Sequence, residues 1–282
     1  MIHFLYRPKQ KYLEKFPVSI FEESFRRHDQ EVSFYNLSDA VASEISHKDS
    51  VFFYNLRYTR RPDILRALEW KGTNIINKPR LWNKIDVANA LLLAGVPTPR
   101  HSFVPARKAP DQFISGITFP LILKPIDDTS GGKNIIYCES PKDLPKIIDK
   151  DMIIQEYIVE ARNHILRINT VEDQSRLAMR VFTDTGSPII NAASNGRVEA
   201  YEPTQEEVDV AVAGARVLGV DIAGVDMAQT DNGPVIIEVN AVPGFGSGPK
   251  LGVQFEHFMV ELIVKRAREH EALTATSRAD TI

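Results

Sequence analysis

Two carboxylates and one amide lie close together late in the sequence. Asp226 comes before the segment Thr230–Gly233, whose composition favours a hairpin turn, and Glu238 and Asn240 come after it. Residues two apart on a strand face the same way, so Glu238 and Asn240 point to one side, and the turn can bring Asp226 opposite them. Such oxygen ligands suit Mg²⁺, which completes its shell with water and substrate phosphates and therefore implies a nucleotide. The alternative interpretation is a solvated hairpin with scattered polar side chains.

A lysine followed by a glycine-rich loop lies earlier in the chain. The apolar, strand-like segment PLILKP contains Lys124, and the loop Thr129-Ser130-Gly131-Gly132 follows a few residues later. Glycines let backbone N–H groups approach phosphate oxygens, hydroxyls add donors, and a lysine adds a point charge. Most such loops are only turns. This one is neither a Walker A loop nor a G-x-G-x-x-G fingerprint, which argues against an NAD-binding Rossmann enzyme.

A third segment, IIQEYI, passes from a strand into a linker at Gln155, Glu156, Tyr157 and Ile158. Beside a nucleotide, the backbone N–H and C=O groups of such a linker can hydrogen-bond the edge of adenine. Without the other two segments, it would be interpreted as an ordinary buried strand.

The bulk properties are those of an ordinary globular chain. Its 282 residues are 43% hydrophobic and 25% charged, and the formal net charge of −3 gives no support for a nucleic-acid binder. No apolar run is long enough to cross a bilayer, and the first residues lack the pattern of a signal peptide. The single cysteine, Cys138, excludes an intramolecular disulfide and a cysteine-based zinc cluster, so we expect a cytoplasmic protein.

Strand and helix patterns alternate in the first 82 residues, which predicts a small open α/β domain with a parallel sheet. The predicted strands are Ile2–Tyr6, Glu31–Asn36, Ser50–Tyr54 and Asn74–Ile76, and the predicted helices are Ser19–His28 and Pro62–Lys71. Residues 83–155 and 156–270 are expected to form two further α+β subdomains, and residues 271–282 a disordered tail.

The later elements follow from the same patterns. The predicted helices are Asn83–Ala94, Lys142–Ile148, Glu206–Leu218 and Phe255–Glu269. The predicted strands are Phe119–Lys124, Asn134–Tyr137, Met152–Gln155, His164–Val171, Arg176–Phe182, Gly224–Gln229 and Pro234–Asn240. Of these strands, His164–Val171 and Arg176–Phe182 are expected to pair antiparallel.

Taken in order, the chemical segments resemble the ATP-grasp superfamily, and most closely its RimK-like branch of amino-acid ligases. The resemblance extends from about Pro79 to Val264 and rests on NKIDVANALLLAGVPTPRH, PLILKP, the TSGG loop, IIQEYI and the ending GVD…IIEVN…PGFG. It implies an α/β fold, more specifically the α+β ATP-grasp fold, in which two subdomains hold ATP between them. It also implies an ATP-dependent carboxylate–amine ligase that forms an amide or peptide bond through an acyl phosphate and releases ADP and phosphate.

The resemblance also implies roles for individual residues. The implied cofactor-binding residues are Lys84, Lys124, Ser130, Gly131, Gly132, Gln155, Glu156, Tyr157, Ile158 and Asn191. The implied metal ligands are Asp226, Glu238 and Asn240, which would hold one or two Mg²⁺ ions, with Mn²⁺ as a substitute. Arg167 and Arg180 match basic positions on central strands that face the phosphate and the reacting carboxylate, and they are the candidate catalytic residues.

Two positions depart from the family pattern. Ile165 stands where RimK-like ligases often carry an aspartate, so Glu160, Asn163 or His164 could take over its role. The family's asparagine–basic–Gly–Gly segment appears as Asn191–Gly196, without the basic residue. These departures do not change the expected ATP chemistry. They affect the expectation for which substrate is bound.

The expected partners are a small-molecule carboxylate and an amine, without nucleic acid or membrane, and a homo-oligomer is left open. Arg167, Arg180 and Arg197 would make the substrate side of the cleft cationic, which predicts glutamate or another acidic amino acid as substrate. The alternatives are a D-alanine-type dipeptide ligase and a non-catalytic ATP-binding module of the same fold.

Overall fold

A computed structural model describes residues 1–6, 18–54, 62–81, 83–127, 134–183, 197–241, 243–244 and 246–279. The chain divides into two compact units. One contains Met1–Lys78 together with Val242–Ile282, and the other contains Pro79–Ala241. The three domain ranges expected from the sequence stay predictions. Within the described ranges, no helix is long and apolar enough to cross a membrane.

The first unit is built on a parallel sheet with the strand order β2-β1-β3-β4. Its strands are β1 (Ile2–Tyr6), β2 (Val32–Asn36), β3 (Ser50–Tyr54) and β4 (Asn74–Ile76), and its helices are α1 (Val18–Arg27), α2 (Pro62–Trp70) and α5 (Phe255–Ala279). The central strands are almost continuously apolar because both faces of the sheet are covered. Phe4, for example, is fully buried and packs against Phe21 and Phe25 of α1. The predicted open α/β architecture is confirmed.

Helix α5 differs from its prediction in length. It continues ten residues beyond Glu269, as far as Ala279. The added stretch contains neither glycine nor proline, so nothing in its backbone chemistry ends the helix earlier. Its polar composition, which had suggested a disordered tail, is equally typical of a solvated helix.

The second unit contains two sheets, and the first of them is four-stranded with the order β5-β8-β6-β7. It comprises β5 (His101–Val104), β6 (Leu121–Pro125), β7 (Ile136–Cys138) and β8 (Met152–Glu156), and helix α3 (Lys84–Leu93) precedes it. The predicted helix Lys142–Ile148 is wrong. Only a 3-10 turn forms at Pro141–Asp143, since Pro145 holds the preceding Leu144 in an extended conformation.

The second sheet of this unit has five strands in the order β11-β10-β9-β12-β13. They are β9 (His164–Val171), β10 (Gln174–Phe182), β11 (Val198–Ala200), β12 (Ile222–Thr230) and β13 (Gly233–Asn240). The antiparallel β9–β10 pair and the β12–β13 hairpin are confirmed.

Helix α4 (Gln205–Leu218) packs against one face of the five-stranded sheet. Its start is fixed by a capping box between Thr204 and Glu207, and its end by Gly219, whose φ of 72° lies in the left-handed region. Leu166 and Ile168 of β9 contribute to the apolar core on this face. Side chains alternate along a strand, so Arg167, which lies between them, points to the opposite face.

Candidate active site

The opposite face of the five-stranded sheet carries a row of three charged residues. Arg167 on β9 lies opposite Asp226 on β12, and Asp226 lies opposite Glu238 on β13. Asn240 stands in the next row, opposite Gly224. The register shifts just after Asp226, which marks a β-bulge of the kind often found beside active sites. The structure therefore brings the three predicted metal ligands together on one face.

Arg167 and Asp226 form a buried ion pair. The guanidinium donates from Nε to Oδ1 and from Nη2 to Oδ2, the latter at 2.6 Å. The two side chains are only 14% and 9% exposed. Burial raises the pKa of the Asp226 carboxyl, and the adjacent guanidinium opposes that rise. Sequence reasoning missed this pair, because the partners are 59 residues apart and no local motif joins them.

Glu238 is held by a lysine from a distant helix. Lys84 Nζ donates to Glu238 Oε1 at 2.7 Å, and the Lys84 backbone N–H donates to Ile126 O at 3.1 Å. The preceding Asn83 caps α3 through a bond from the Asp86 N–H at 2.8 Å, which fixes the start of the helix. Burial alone would raise the pKa of Glu238, but Lys84 and Lys124 outweigh it and hold the pKa at about 2.

Lys124 lies on β6 and is 8% exposed. Its Nζ donates to Oε1 of Gln155 on β8 at 3.1 Å. Burial lowers the pKa of Lys124 to about 8, although the negative charge of Glu238 acts in the opposite direction. Three cationic side chains thus accompany two carboxylates, and the site is locally positive in a chain that is negative overall. That balance suits an anionic ligand.

The donor set is chemically suited to Mg²⁺. Two carboxylates and an amide on adjacent strands supply hard oxygen ligands. In the part of the chain that the structure describes, no group of three or more His, Cys, Asp or Glu side chains could hold a metal. A metal at this site would therefore depend on Asp226, Glu238 and Asn240, completed by water or by phosphate oxygens.

The predicted adenine hinge follows directly after β8. The Glu156 N–H donates to Arg100 O at 2.8 Å, and the Tyr157 N–H donates to Pro120 O at 2.9 Å. The Thr118 hydroxyl also donates to the Glu156 carboxylate. Within the described ranges, the N–H of Ile158 has no acceptor. The linker is thus held by hydrogen bonds at the two residues directly before Ile158, whose backbone N–H can bind a ligand.

Arg180 lies away from this site, so the expectation that it joins Arg167 is wrong. Arg180 pairs with Leu166, which belongs to the core beneath α4, and its guanidinium lies 4.5 Å from the centroid of the Tyr201 ring. The register of β9 and β10 shifts between Ser175 and Leu177, and this bulge cannot be seen in the spacing of the arginines.

The remaining basic and polar candidates are also apart from the row. Arg197 stacks on Phe182 and donates to Glu199, and the His164 ring lies 5.5 Å from that of Phe182. Ile165, on the face of Arg167, is buried opposite Val181. Four predicted cofactor residues, Ser130, Gly131, Gly132 and Asn191, lie outside the described residues.

The family follows from a comparison with known proteins. A model of the RimK-like ATP-grasp domain matches residues 82–263, which is well over half of the chain. The chain belongs to this family. The predicted family and the predicted fold class are therefore confirmed.

Curated relatives carry the name "Probable alpha-L-glutamate ligase". The protein from Teredinibacter turnerae is 28% identical over 248 residues, covering 84% of this chain and 79% of its own. The protein from Haemophilus influenzae is 29% identical over 191 residues, covering 64% of this chain. This second match spans only 63% of the length of that relative.

Solved structures confirm the fold of this family member over nearly its whole length. The ATP-grasp ligase PsnB, in complex with a minimal precursor, is 20% identical with a TM-score of 0.69, and covers 94% of this chain and 98% of its own. D-alanine–D-alanine ligase from Bacillus anthracis, in complex with ATP, is 15% identical with a TM-score of 0.70, and covers 97% and 99%.

Proposed function

We propose that this RimK-like protein uses ATP to activate a carboxylate as an acyl phosphate and joins it to an amine, with release of ADP and phosphate. The observation that carries the proposal is the charged row Arg167–Asp226–Glu238, to which Lys84 is joined through its bond to Glu238. It brings cations that can bind phosphates together with oxygen ligands for a divalent metal.

In this proposal, the nucleotide lies between the hinge and the charged row. The Ile158 N–H binds the adenine edge, and Lys84 and Lys124 contact the phosphates. Asp226, Glu238 and Asn240 would hold Mg²⁺, which supplies charge neutralisation on the phosphates when bound. Support for ATP and Mg²⁺ comes from the family and from a structure of the ligase PsnB in complex with Mg and ADP.

Catalysis by these residues is mainly positioning. Lys84 and Lys124 approach from α3 and β6, so their charges can fix the transferring phosphoryl group from the side opposite the five-stranded sheet. The low exposure of Lys124 excludes water and strengthens its interaction with a phosphate. An acyl phosphate formed there would need the same protection from water.

For the substrate, we propose glutamate or another acidic amino acid. The names of the relatives support it. The predicted clustering of three arginines gives this substrate no support, because Arg180 and Arg197 lie apart from Arg167. Use of Mn²⁺, a homo-oligomeric state and a cytoplasmic location stay predictions.

The test is ADP release from Mg-ATP with each amino acid offered alongside a set of small amines, followed by mass spectrometry of the products. We expect stimulation by glutamate or aspartate and a product with a new amide bond. Stimulation by alanine or other neutral amino acids alone would contradict the acidic substrate and favour the dipeptide-ligase alternative. ATP binding without any substrate-dependent ADP release would favour the non-catalytic module.

A further inference from the structure

Both carboxylates of the charged row are already bound by cationic side chains. The Arg167 fork engages both oxygens of Asp226, and Lys84 engages Oε1 of Glu238. These two cations therefore stand where a divalent metal would have to approach the same oxygens. Like charges a few ångströms apart repel each other, so a metal ion arriving alone meets this opposition.

Binding of a nucleotide would reduce this electrostatic repulsion between the metal ion and the two cationic side chains. Its phosphates carry several negative charges and attract Arg167 and Lys84, which are long side chains able to turn from a carboxylate to a phosphate. Each ion pair that opens in this way frees carboxylate oxygens for the metal. Metal and nucleotide would then strengthen each other's binding by the same factor, because coupling between two ligands is reciprocal.

We propose that Arg167 and Lys84 exchange partners during binding: in the free protein they neutralise Asp226 and Glu238, and with nucleotide they move to its phosphates and leave the carboxylates to the metal. This inference rests on the proposed function. It assigns to Arg167 a role beyond phosphate contact, namely making metal binding conditional on nucleotide. The site would then take up little Mg²⁺ until a nucleotide is present.

A different role for Arg167, orienting Asp226 as a metal ligand, predicts the opposite change in metal affinity when Arg167 is replaced. If the fork only orients Asp226 as a metal ligand, removing it should weaken metal binding, typically 10- to 100-fold. If Arg167 competes with the metal, removing it should strengthen metal binding in the absence of nucleotide. The sign of the change therefore decides between the two roles without any measurement of activity.

The experiment measures Mn²⁺ binding by electron paramagnetic resonance of the free ion, with and without ADP, for the full chain and for Arg167→Met and Lys84→Met. For the wild type, we expect weak binding that ADP strengthens by tenfold or more, on the order of 1.4 kcal/mol of coupling. Arg167→Met should bind Mn²⁺ alone about tenfold more tightly and lose most of the effect of ADP. Lys84→Met should shift binding in the same direction.

Arg216→Met is the matched control, because Arg216 also pairs with an aspartate of the same unit, Asp173, but at an exposed place. It should bind Mn²⁺ as the wild type does. Since Arg167→Met leaves a buried carboxylate unpaired, its thermal unfolding is measured as well, and Mn²⁺ should raise its melting temperature more than that of the wild type.

Two different failures can be told apart. If the wild type binds Mn²⁺ neither alone nor with ADP, the metal site of the proposed function is wrong, and the partner exchange falls with it. If the wild type binds Mn²⁺ with ADP but Arg167→Met binds Mn²⁺ alone no more tightly, the exchange is wrong and the proposed function stands.

Discussion

Arg180 lies directly opposite Leu166 in the β9–β10 ladder, which places its side chain on the face that packs against α4. Arg167, one position along β9 from Leu166, points to the other face. Two arginines that look equivalent in the sequence are thus separated by the thickness of a sheet. Only one of them can contact a ligand bound to the charged row.

Replacement of Arg180 should therefore affect stability more than chemistry. We expect Arg180→Leu to keep the kcat of ADP release within about threefold of the wild type, a change below 1 kcal/mol in the barrier. Loss of the contact with the Tyr201 ring should lower the free energy of unfolding by about 0.5–1 kcal/mol. Urea unfolding and steady-state kinetics measure the two effects, and a hundredfold loss of kcat would return Arg180 to the active site.

Local patterns in the sequence predicted most of the fold. They failed where contacts between residues far apart in the sequence determine the face or the partner of a side chain. The hairpin at Thr230–Gly233 carries its own turn chemistry, so the meeting of Asp226 with Glu238 could be foreseen. The face of Arg180 depends on a bulge that leaves no local signal. The partners Lys84 and Arg167 come from other elements, so no spacing rule could have assigned them.

Glu238 should be needed for turnover but not for folding. Glu238→Gln keeps the shape and a hydrogen-bond acceptor for Lys84 but removes the negative charge, and the side chain is 39% exposed. We expect kcat to fall about a hundredfold, which corresponds to roughly 2.7 kcal/mol, with little change in unfolding. Asp226→Ala should lose activity and stability together, because it leaves the buried Arg167 without its partner.

Glu199→Gln is the matched control for Glu238→Gln. Glu199 lies on β11 of the same sheet, pairs with Arg197 and is similarly exposed. It should keep wild-type kinetics. If Glu238→Gln released ADP at close to the wild-type rate, Glu238 would not be a metal ligand.

Because of Lys124, both the free energy of unfolding and the affinity for ATP should change with pH in the alkaline range. Its pKa falls from 10.5 to about 8 on folding, so between these values the unfolded chain binds more protons than the folded protein. The free energy of unfolding should then rise with pH across this window, by about 3 kcal/mol over the whole shift. Below pH 8 the contribution is constant, because the lysine is charged in both states.

The comparison is with Lys124→Met, which should lack this alkaline rise in urea unfolding. In the wild type, ATP affinity should weaken above about pH 8, as the lysine loses the charge that a phosphate requires. Calorimetry in buffers of different ionisation enthalpy should show proton uptake on ATP binding near pH 8.5. Equal pH profiles for the wild type and Lys124→Met would contradict the assignment of the low pKa to this residue.

The buried side chain of Asn169 should make the folded protein less stable than an apolar side chain of the same shape would. It is fully buried on the face of Arg167, and within the described part of the chain neither atom of its amide has a hydrogen-bond partner. An unsatisfied buried amide costs about 1–3 kcal/mol, and leucine has nearly the same shape without that cost. We therefore expect Asn169→Leu to raise the free energy of unfolding by about 1 kcal/mol, measured by urea denaturation. Asn169→Asp should instead destabilise the protein, because it buries a charge in the same place. A loss of stability in the leucine variant would show that the amide is hydrogen-bonded in solution, to an internal water molecule for example, and that its burial is favourable.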